Sequence, residues 1–477
     1  MARAVLYPKK LTLTSWRSPA QLMRIILLLA TPVMVTNLLH TLIGFVDVNM
    51  ISVLGAAALA SLSVNRSSFW LLSSVFMGLG AGIIAYVARL TGAGEHHKAR
   101  SYATVGIVTA IVLGVAIAVA GLLVGARPIQ FMVTSEVGDL SASMLELTRR
   151  YAWDYMRVIL YGLIGLGVQF AAVSVFNSLG RTLYPMWLLI IANVANFVGN
   201  WLLIERYQVA GCAWSTTITT VIVAGVAVYL LTRQGAIVWD RSLLERPVRR
   251  ALEMLWLGFP ASLQVGFRAL AGLVLIKIIT LLPNSVVGQS AFVVGMMAES
   301  LAFMPGFAFS VAAATLTGQN LGARKEGQAR TASLYCLAFS QVIMWAMGVV
   351  FFFHPEWFIV LFIRSNAPEV VAPASDFLRI LALCFPGLGL GMTMNGVLRG
   401  AGDTRAAALI TMTAQWIVRI PLVALLAFEN VLGTGLGLGL GLNGIWWGMT
   451  LSVYVEASLA YWRFNSGAWA RIKLAQS

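Results

Sequence analysis

Between Leu22 and Val46 the chain carries one charge, Arg24 near the beginning, and a carboxylate, Asp47, then closes the run. A helix rising ~1.5 Å per residue needs roughly twenty apolar residues to cross the hydrocarbon of a bilayer. Runs of this kind recur to the end of the sequence. Helices suit them because each satisfies its own backbone hydrogen bonds in lipid. A transmembrane barrel would show apolar and polar alternation over about ten residues, which the sequence lacks. The pattern predicts about twelve spans, near 24–50, 57–88, 101–124, 154–178, 183–204, 209–232, 255–281, 287–318, 330–353, 375–398, 405–428 and 443–462. Only 11% of the 477 residues are charged, against about 25% in soluble domains. The expected fold class is an all-α polytopic membrane protein. Its first span is too long, and lacks the small-residue cleavage pattern, for a removable signal peptide.

A net charge of +15 raises the question of nucleic acid. Its distribution answers it. With a cytoplasmic amino terminus, cytoplasmic segments hold roughly 22 of the 33 lysines and arginines, which is the positive-inside bias of an inner or cytoplasmic membrane protein. Lys9, Lys10 and Arg17, the 233–250 stretch with Arg246, Arg249 and Arg250, and Arg471 with Lys473 form the basic groups. Both termini are expected in the cytoplasm. Cys212, Cys336 and Cys384 fall in spans without paired spacing, so neither a disulfide framework nor a metal site is expected. No P-loop, HExxH or GxSxG motif occurs, and no segment is long enough for a soluble nucleotide-binding domain. The chain is expected to be neither an enzyme nor an ATP-driven pump, and to need no cofactor.

The sequence is written twice. "GAGEHHKAR" at 92–100 returns as "GARKEGQAR" at 322–330, an offset of 230. "DYMRVILYG" at 154–162 returns as "DFLRILALC" at 376–384, and "SLGRTLYP" at 178–185 as "GAGDTRAA" at 400–407, both at 222. "AGCAWSTT" at 210–217 faces "NGIWWGMT" at 443–450, the shift arising from the insertion "LGTGLGLGLGL" at 432–442. Six spans per half return the chain to its starting side. The halves are therefore parallel repeats, with a pseudo-twofold along the membrane normal. The expected division is a lobe at 1–232, a cytoplasmic linker at 233–253 and a lobe at 254–477.

These elements resemble the multidrug and toxic compound extrusion (MATE) family. The resemblance rests on Pro32 fifteen residues before Asp47, "VLG" at 53–55, "RLTGAGEHHKAR" at 89–100, "TGQNLGARKEGQAR" at 317–330, "LRGAGDTR" at 398–405 and "RIPL" at 419–422. It implies a secondary antiporter of two six-helix lobes that expels compounds in exchange for protons or sodium ions.

Helical spacing puts Asn37, His40, Gly44 and Asp47 on one face of the first span, and Asn193, Asn196 and Asn200 on one face of the fifth. Asp47, Asn196, Asn200 and Thr216 also lie at similar depths, roughly 6–12 Å below the outer surface. They are expected to form one polar pocket. Similarity to the DinF-like branch implies that Asp47 is the acid of the first helix and Asn196 the asparagine of an Asn-x-x-x-Asp pair, with Asn200 standing where that branch has its second acid. One fewer carboxylate makes a poorer site for a hard cation, whereas one carboxyl suffices to carry a proton. The expected ion-coupling residues are Asp47, Asn196, Asn200 and His40. The expected substrate contacts are Asp47, Asn193, Asn196, Thr216, Gln169 and Met392. Plainer readings stand beside this one, among them a helix-end carboxylate at Asp47 that is simply wetted by solvent. Arg66, one turn deeper on the second span, could hold Asp47 in a static salt bridge, and the asparagines could simply pin helices together.

The second half departs from the NorM-like pattern of an acid eight residues after a proline on the seventh helix. Pro260 is followed at that distance by Arg268. Depth-matching pairs Arg268 with Glu299 on the eighth span as a structural ion pair, and leaves Arg419 and Glu456 without an assigned partner. The expected activity is proton-coupled export of amphipathic, often cationic, drugs or metabolites by a monomer in the lipid bilayer, through rocker-switch alternating access. Sodium coupling, a lipid-linked oligosaccharide flippase and a channel or scaffold are the alternatives.

Overall fold

The computed structural model describes residues 13–132, 142–239, 246–283, 285–362, 368–431, 435–472 and 474, and among these it contains helices and no strand. The helices are α1 (Pro19–Ser52), α2 (Ala56–Gly92), α3 (His96–Val124), α4 (Arg127–Met132), α5 (Ala142–Ser178), α6 (Leu183–Arg233), α7 (Pro247–Thr280), α8 (Ser285–Gly322), α9 (Glu326–Phe353), α10 (Pro355–Phe362), α11 (Pro368–Ala401), α12 (Thr404–Met412), α13 (Ile420–Ala427) and α14 (Gly441–Asn465). A π-helical turn, Thr413–Arg419, joins α12 to α13 and makes them one span. Nine helical stretches among the described residues are long and apolar enough to cross a membrane, and α8, bent by 41°, makes a tenth. The 51 residues of α6 hold two spans, because Gln208 breaks the helix with φ 53° and ψ −131°. With α14, which repeats the position of the second half of α6, the chain reaches the twelve spans expected from its apolar runs.

Backbone geometry carries the repeat as clearly as the letters do. Gly94 and its repeat partner Arg324 are both left-handed, at φ 78° and 59°. Each ends a helix in the same way. Gly94 N–H donates to Thr91 and Glu95 N–H to Leu90, as Arg324 does to Leu321 and Lys325 to Asn320. Gly180 and Gly402 form a second such pair, at φ 71° and 86°. A glycine reaches this region without the Cβ penalty of other residues. Nothing lies within 4 Å of where a Cβ on Gly94 would stand. The substitution Gly94→Ala therefore costs stability through the backbone alone, about 1 kcal/mol, read as a lowered melting temperature. An unchanged or raised value would contradict the argument.

The described residues form two compact units, one of Val35–Ser262 and the other of the residues up to Met34 with those from Leu263 onward. These units divide the chain differently from the sequence halves. Both α1 and α7 change unit two residues after a proline, Pro32 and Pro260. In the first unit, α2 and the start of α7 cross at glycine. A Cβ on Gly258 would sit 2.1 Å from the Gly78 carbonyl oxygen, so the crossing admits no side chain there. The first turns of α7 are tied to the same unit. Tyr102 Oη donates to Glu253 at 2.5 Å and Arg250 donates to Ser101. In the second unit, Trp446 packs against Phe377 and Phe292, with ring centroids 4.1 and 6.0 Å away. The start of α1, with Leu22, Ile25 and Ile26 wholly buried, joins a core with Phe309, Leu398 and Trp469.

Candidate functional site

The break at Gln208 is what assembles the site. It folds α6 back on itself so closely that a Cβ on Gly211 would meet the Leu203 carbonyl oxygen at 2.2 Å. The returning half of the helix then lies against the outgoing one. Ser215 Oγ donates to the Asn196 carbonyl at 2.8 Å, and Gly199 leaves room for it. Thr216 is brought opposite Asn196, whose Nδ2 donates to the Thr216 hydroxyl at 3.1 Å.

Asp47 on α1 enters from the third side and is buried. Asn200 Nδ2 donates to Asp47 Oδ1 at 2.6 Å and to Asn196 Oδ1 at 3.3 Å. One amide nitrogen thus joins the carboxylate to a row of Asn196 and Thr216. Asn196 and Asn200 are themselves almost wholly buried. The Asn200 amide oxygen is buried with no hydrogen-bond partner among the described residues. An orphaned buried acceptor of this kind is costly, about 1–3 kcal/mol. It sits on the same amide that holds Asp47.

Asp47 has no cationic partner among the described residues, and Arg66 is exposed on α2, so the static salt bridge is absent there. The remaining neighbours are apolar or uncharged. The Cys212 thiol faces the carboxylate, Tyr155 stands close by, and Ile51, Val158, Ile204 and Val209 complete a buried cluster. Helical spacing and depth in the sequence single out neither Cys212 nor Tyr155. The available signal for Cys212 is its position four residues before Thr216, on the same helix face.

Other expected members lie apart. His40 is exposed on α1, two turns from Asp47, with Gly44 between them and open space where its Cβ would be. Asn193 donates to its own helix, at the Leu189 carbonyl, 2.8 Å away. Gln169 is half-buried on α5 and makes no hydrogen bond to the Asp47 group. Met392 is packed in the core of the second unit, where its sulfur would lie 3.0 Å from a Cβ on Gly306.

The pairing of Arg268 with Glu299 is corrected by the structure. Arg268 instead donates through one terminal nitrogen to both Glu456 oxygens, at 3.1 and 3.2 Å. Matching depth fixes height in the membrane, not the direction a side chain faces, and α14 presents Glu456 to Arg268 at that height. Arg419, which also lacked an assigned partner, donates Nε to Ser452 Oγ at 2.8 Å. Glu299 is half-buried and feels the charges of both arginines without an ion pair among the described residues. The described residues contain no cluster of three or more histidine, cysteine, aspartate or glutamate side chains suited to a metal.

The relatives agree with this architecture. The chain is 26% identical over 456 residues to a probable multidrug resistance protein NorM of Thermotoga maritima, covering 93% of this chain and 92% of that protein. It is 25% identical to a probable multidrug resistance protein YpnP of Bacillus subtilis, over 94% of this chain and 96% of that one. Among solved structures, a MOP superfamily transporter from Pyrococcus furiosus superposes with a TM-score of 0.83 at 21% identity, covering 96% of this chain and 100% of that chain. An outward-facing multidrug resistance MATE family transporter superposes at 0.81, with the same identity and coverage. These likenesses show the fold. The MatE family model matches residues 32–202 and again 260–425, once in each repeat, and spans most of the sequence. The chain is a polytopic membrane protein that belongs to the MatE family.

Proposed function

We propose that this protein is a secondary active antiporter of the cell membrane. It exports amphipathic, often cationic, organic compounds in exchange for protons, with Asp47 as the coupling carboxylate. Family membership and the names of the relatives support multidrug export. The observation that carries proton coupling is the uncharged surrounding of Asp47. A carboxylate buried among amides, a hydroxyl and a thiol can change charge without breaking an ion pair. The orphaned Asn200 oxygen adds a reason for it to do so. A protonated Asp47 is a donor, and the amide that already bonds the carboxylate offers an unused acceptor. Asn196, Asn200 and Thr216 then serve both charge states, and Asp47 meets substrate in its ionised form. His40, on the open strip of α1, is the proposed proton entry.

The repeat supports alternating access, in which two six-helix halves, 1–232 and 254–477, switch between inward- and outward-open states. Among the described residues no second carboxylate is hydrogen-bonded into the Asp47 group, a poor set for a hard cation, and this supports protons over sodium ions. The test is drug movement in proteoliposomes under separately imposed gradients. A pH gradient is expected to drive it and a sodium gradient at equal pH is not. Export driven by sodium alone would overturn the coupling ion.

Both termini and the 233–253 linker are proposed to face the cytoplasm. The three native cysteines are buried, so an added cysteine gives a clean readout. A cysteine at Arg246 is expected to react with an impermeant maleimide only after the cytoplasmic face is opened. Labelling of intact cells would invert the topology. Lys473 and residues 240–245 lie outside the described residues.

A further inference from the structure

The Asp47 site leaves unused the richest polar cluster of the second unit. Glu456 on α14 is only 6% exposed and accepts from Thr411 Oγ1 at 2.7 Å, from Asn395 and Gln415 at 3.3 Å each, and from Arg268. Its oxygens are well supplied. The arginines around it are not. Arg268 uses one terminal nitrogen, Arg419 only its Nε, and Arg399 only one terminal nitrogen, on Ser310 at 3.0 Å. A guanidinium carries five N–H donors. The other nitrogens of these three arginines have no acceptor among the described residues, and none is among the atoms sealed from solvent without a partner. The Arg268 side chain is 37% exposed. Open space adjoins it one turn on at Gly272, on the same helix face, where an added Cβ would meet nothing within 4 Å.

Charge points the same way. Arg399 and Arg419 each feel the charges of Arg268 and Glu456, and Glu299 feels those of Arg268 and Arg419, three positive groups against two negative ones within a membrane-spanning bundle. The π turn brings Thr411, Gln415 and Arg419 toward one line by widening the helix between them. Thr411 and Gln415 reach Glu456 while Arg419 reaches Ser452, one turn earlier on α14. Arg419 thereby stands beyond the carboxylate rather than on it. Phe267 and Trp416, next in sequence to Arg268 and Gln415, meet edge to face at 6.0 Å and offer apolar surface.

We propose that Arg268 and Arg419 form a binding site for the anionic group, a carboxylate or phosphate, of an amphipathic molecule. Their planar forks match such groups bidentately, and burial strengthens the attraction. Glu299 disfavours a second negative charge, so a molecule with a single anionic group fits best. The group can come from a soluble compound or from a phospholipid headgroup. The proposal is independent of proton coupling at Asp47.

The test uses the purified protein in nanodiscs of neutral phosphatidylcholine, with 1-pyrenebutyrate and the matched cation 1-pyrenebutylamine followed by equilibrium dialysis. The carboxylate is expected to bind about tenfold tighter or more, as a charge-assisted contact requires. Arg419→Gln should remove that preference and Arg419→Lys, which keeps the charge but not the fork, should reduce it. If Arg419→Gln does not fold, Arg419→Lys carries the test. Equal binding of the two pyrenes by the native protein, or undiminished pyrenebutyrate binding by a folded Arg419 variant, overturns the proposal. In nanodiscs containing phosphatidylglycerol, displacement of pyrenebutyrate identifies the headgroup as the source. Undiminished binding there identifies a soluble anion. Both results support the site.

Discussion

Asp47→Asn is expected to leave a folded protein that still binds its substrate weakly but cannot be driven by a pH gradient. The substitution keeps the shape of the side chain. An asparagine at this position can accept from Asn200 Nδ2 as the carboxylate does, through the bond now 2.6 Å long. Its own amide N–H can reach the Asn200 oxygen that lacks a partner. The cost in stability should therefore be small, within about 1 kcal/mol. No cation within 4 Å loses its counter-ion among the described residues. What disappears is the exchangeable proton. In proteoliposomes with an imposed pH gradient, export should fall to the level of protein-free vesicles. Binding measured without a gradient should survive, weakened by the loss of one charge. Full gradient-driven export by this variant would move coupling elsewhere and leave Asp47 a structural acid.

The helical plan was legible because lipid allows few alternatives. The apolar runs gave the spans, and the repeat gave their grouping down to paired left-handed turns at Gly94 and Arg324. The first site was legible in part. Spacing alone puts Asn196 and Asn200 on one face, and depth joins them to Asp47 and Thr216. Those four are the residues that hydrogen bonds connect. Asn193 shares the same helical face, yet its amide bonds back to its own turn. Position on a face does not tell whether a side chain prefers its own backbone. Cys212 was hidden by its residue type, since a buried cysteine reads first as packing. The second unit was illegible for a sharper reason. A π turn has no clear sequence signature, and it changes the phase of every residue after it. The partners of Glu456 and Arg419 thus could not be read from regular helical spacing.

The pairing of Arg268 with Glu456 leads to a second large effect, with a direction that depends on which partner is removed. Arg268→Ala leaves Glu456, 6% exposed, without its cation. Removing one partner of a buried ion pair typically costs about 3–5 kcal/mol. The hydrogen bonds from Thr411, Asn395 and Gln415 remain and keep the loss toward the lower end. Glu456→Gln is expected to be milder. It strands Arg268, but that side chain is 37% exposed and can reach water. The double substitution Arg268→Ala with Glu456→Gln should recover part of what Arg268→Ala loses, because the neutral amide no longer needs a cation and still accepts from Thr411. Arg268→Ala with Glu299→Ala should recover less, since Glu299 feels the Arg268 charge but makes no ion pair with it within 4 Å among the described residues. Melting temperatures of the four variants in one detergent decide the matter. Rescue by Glu299→Ala in place of Glu456→Gln would restore the partner that depth alone suggested.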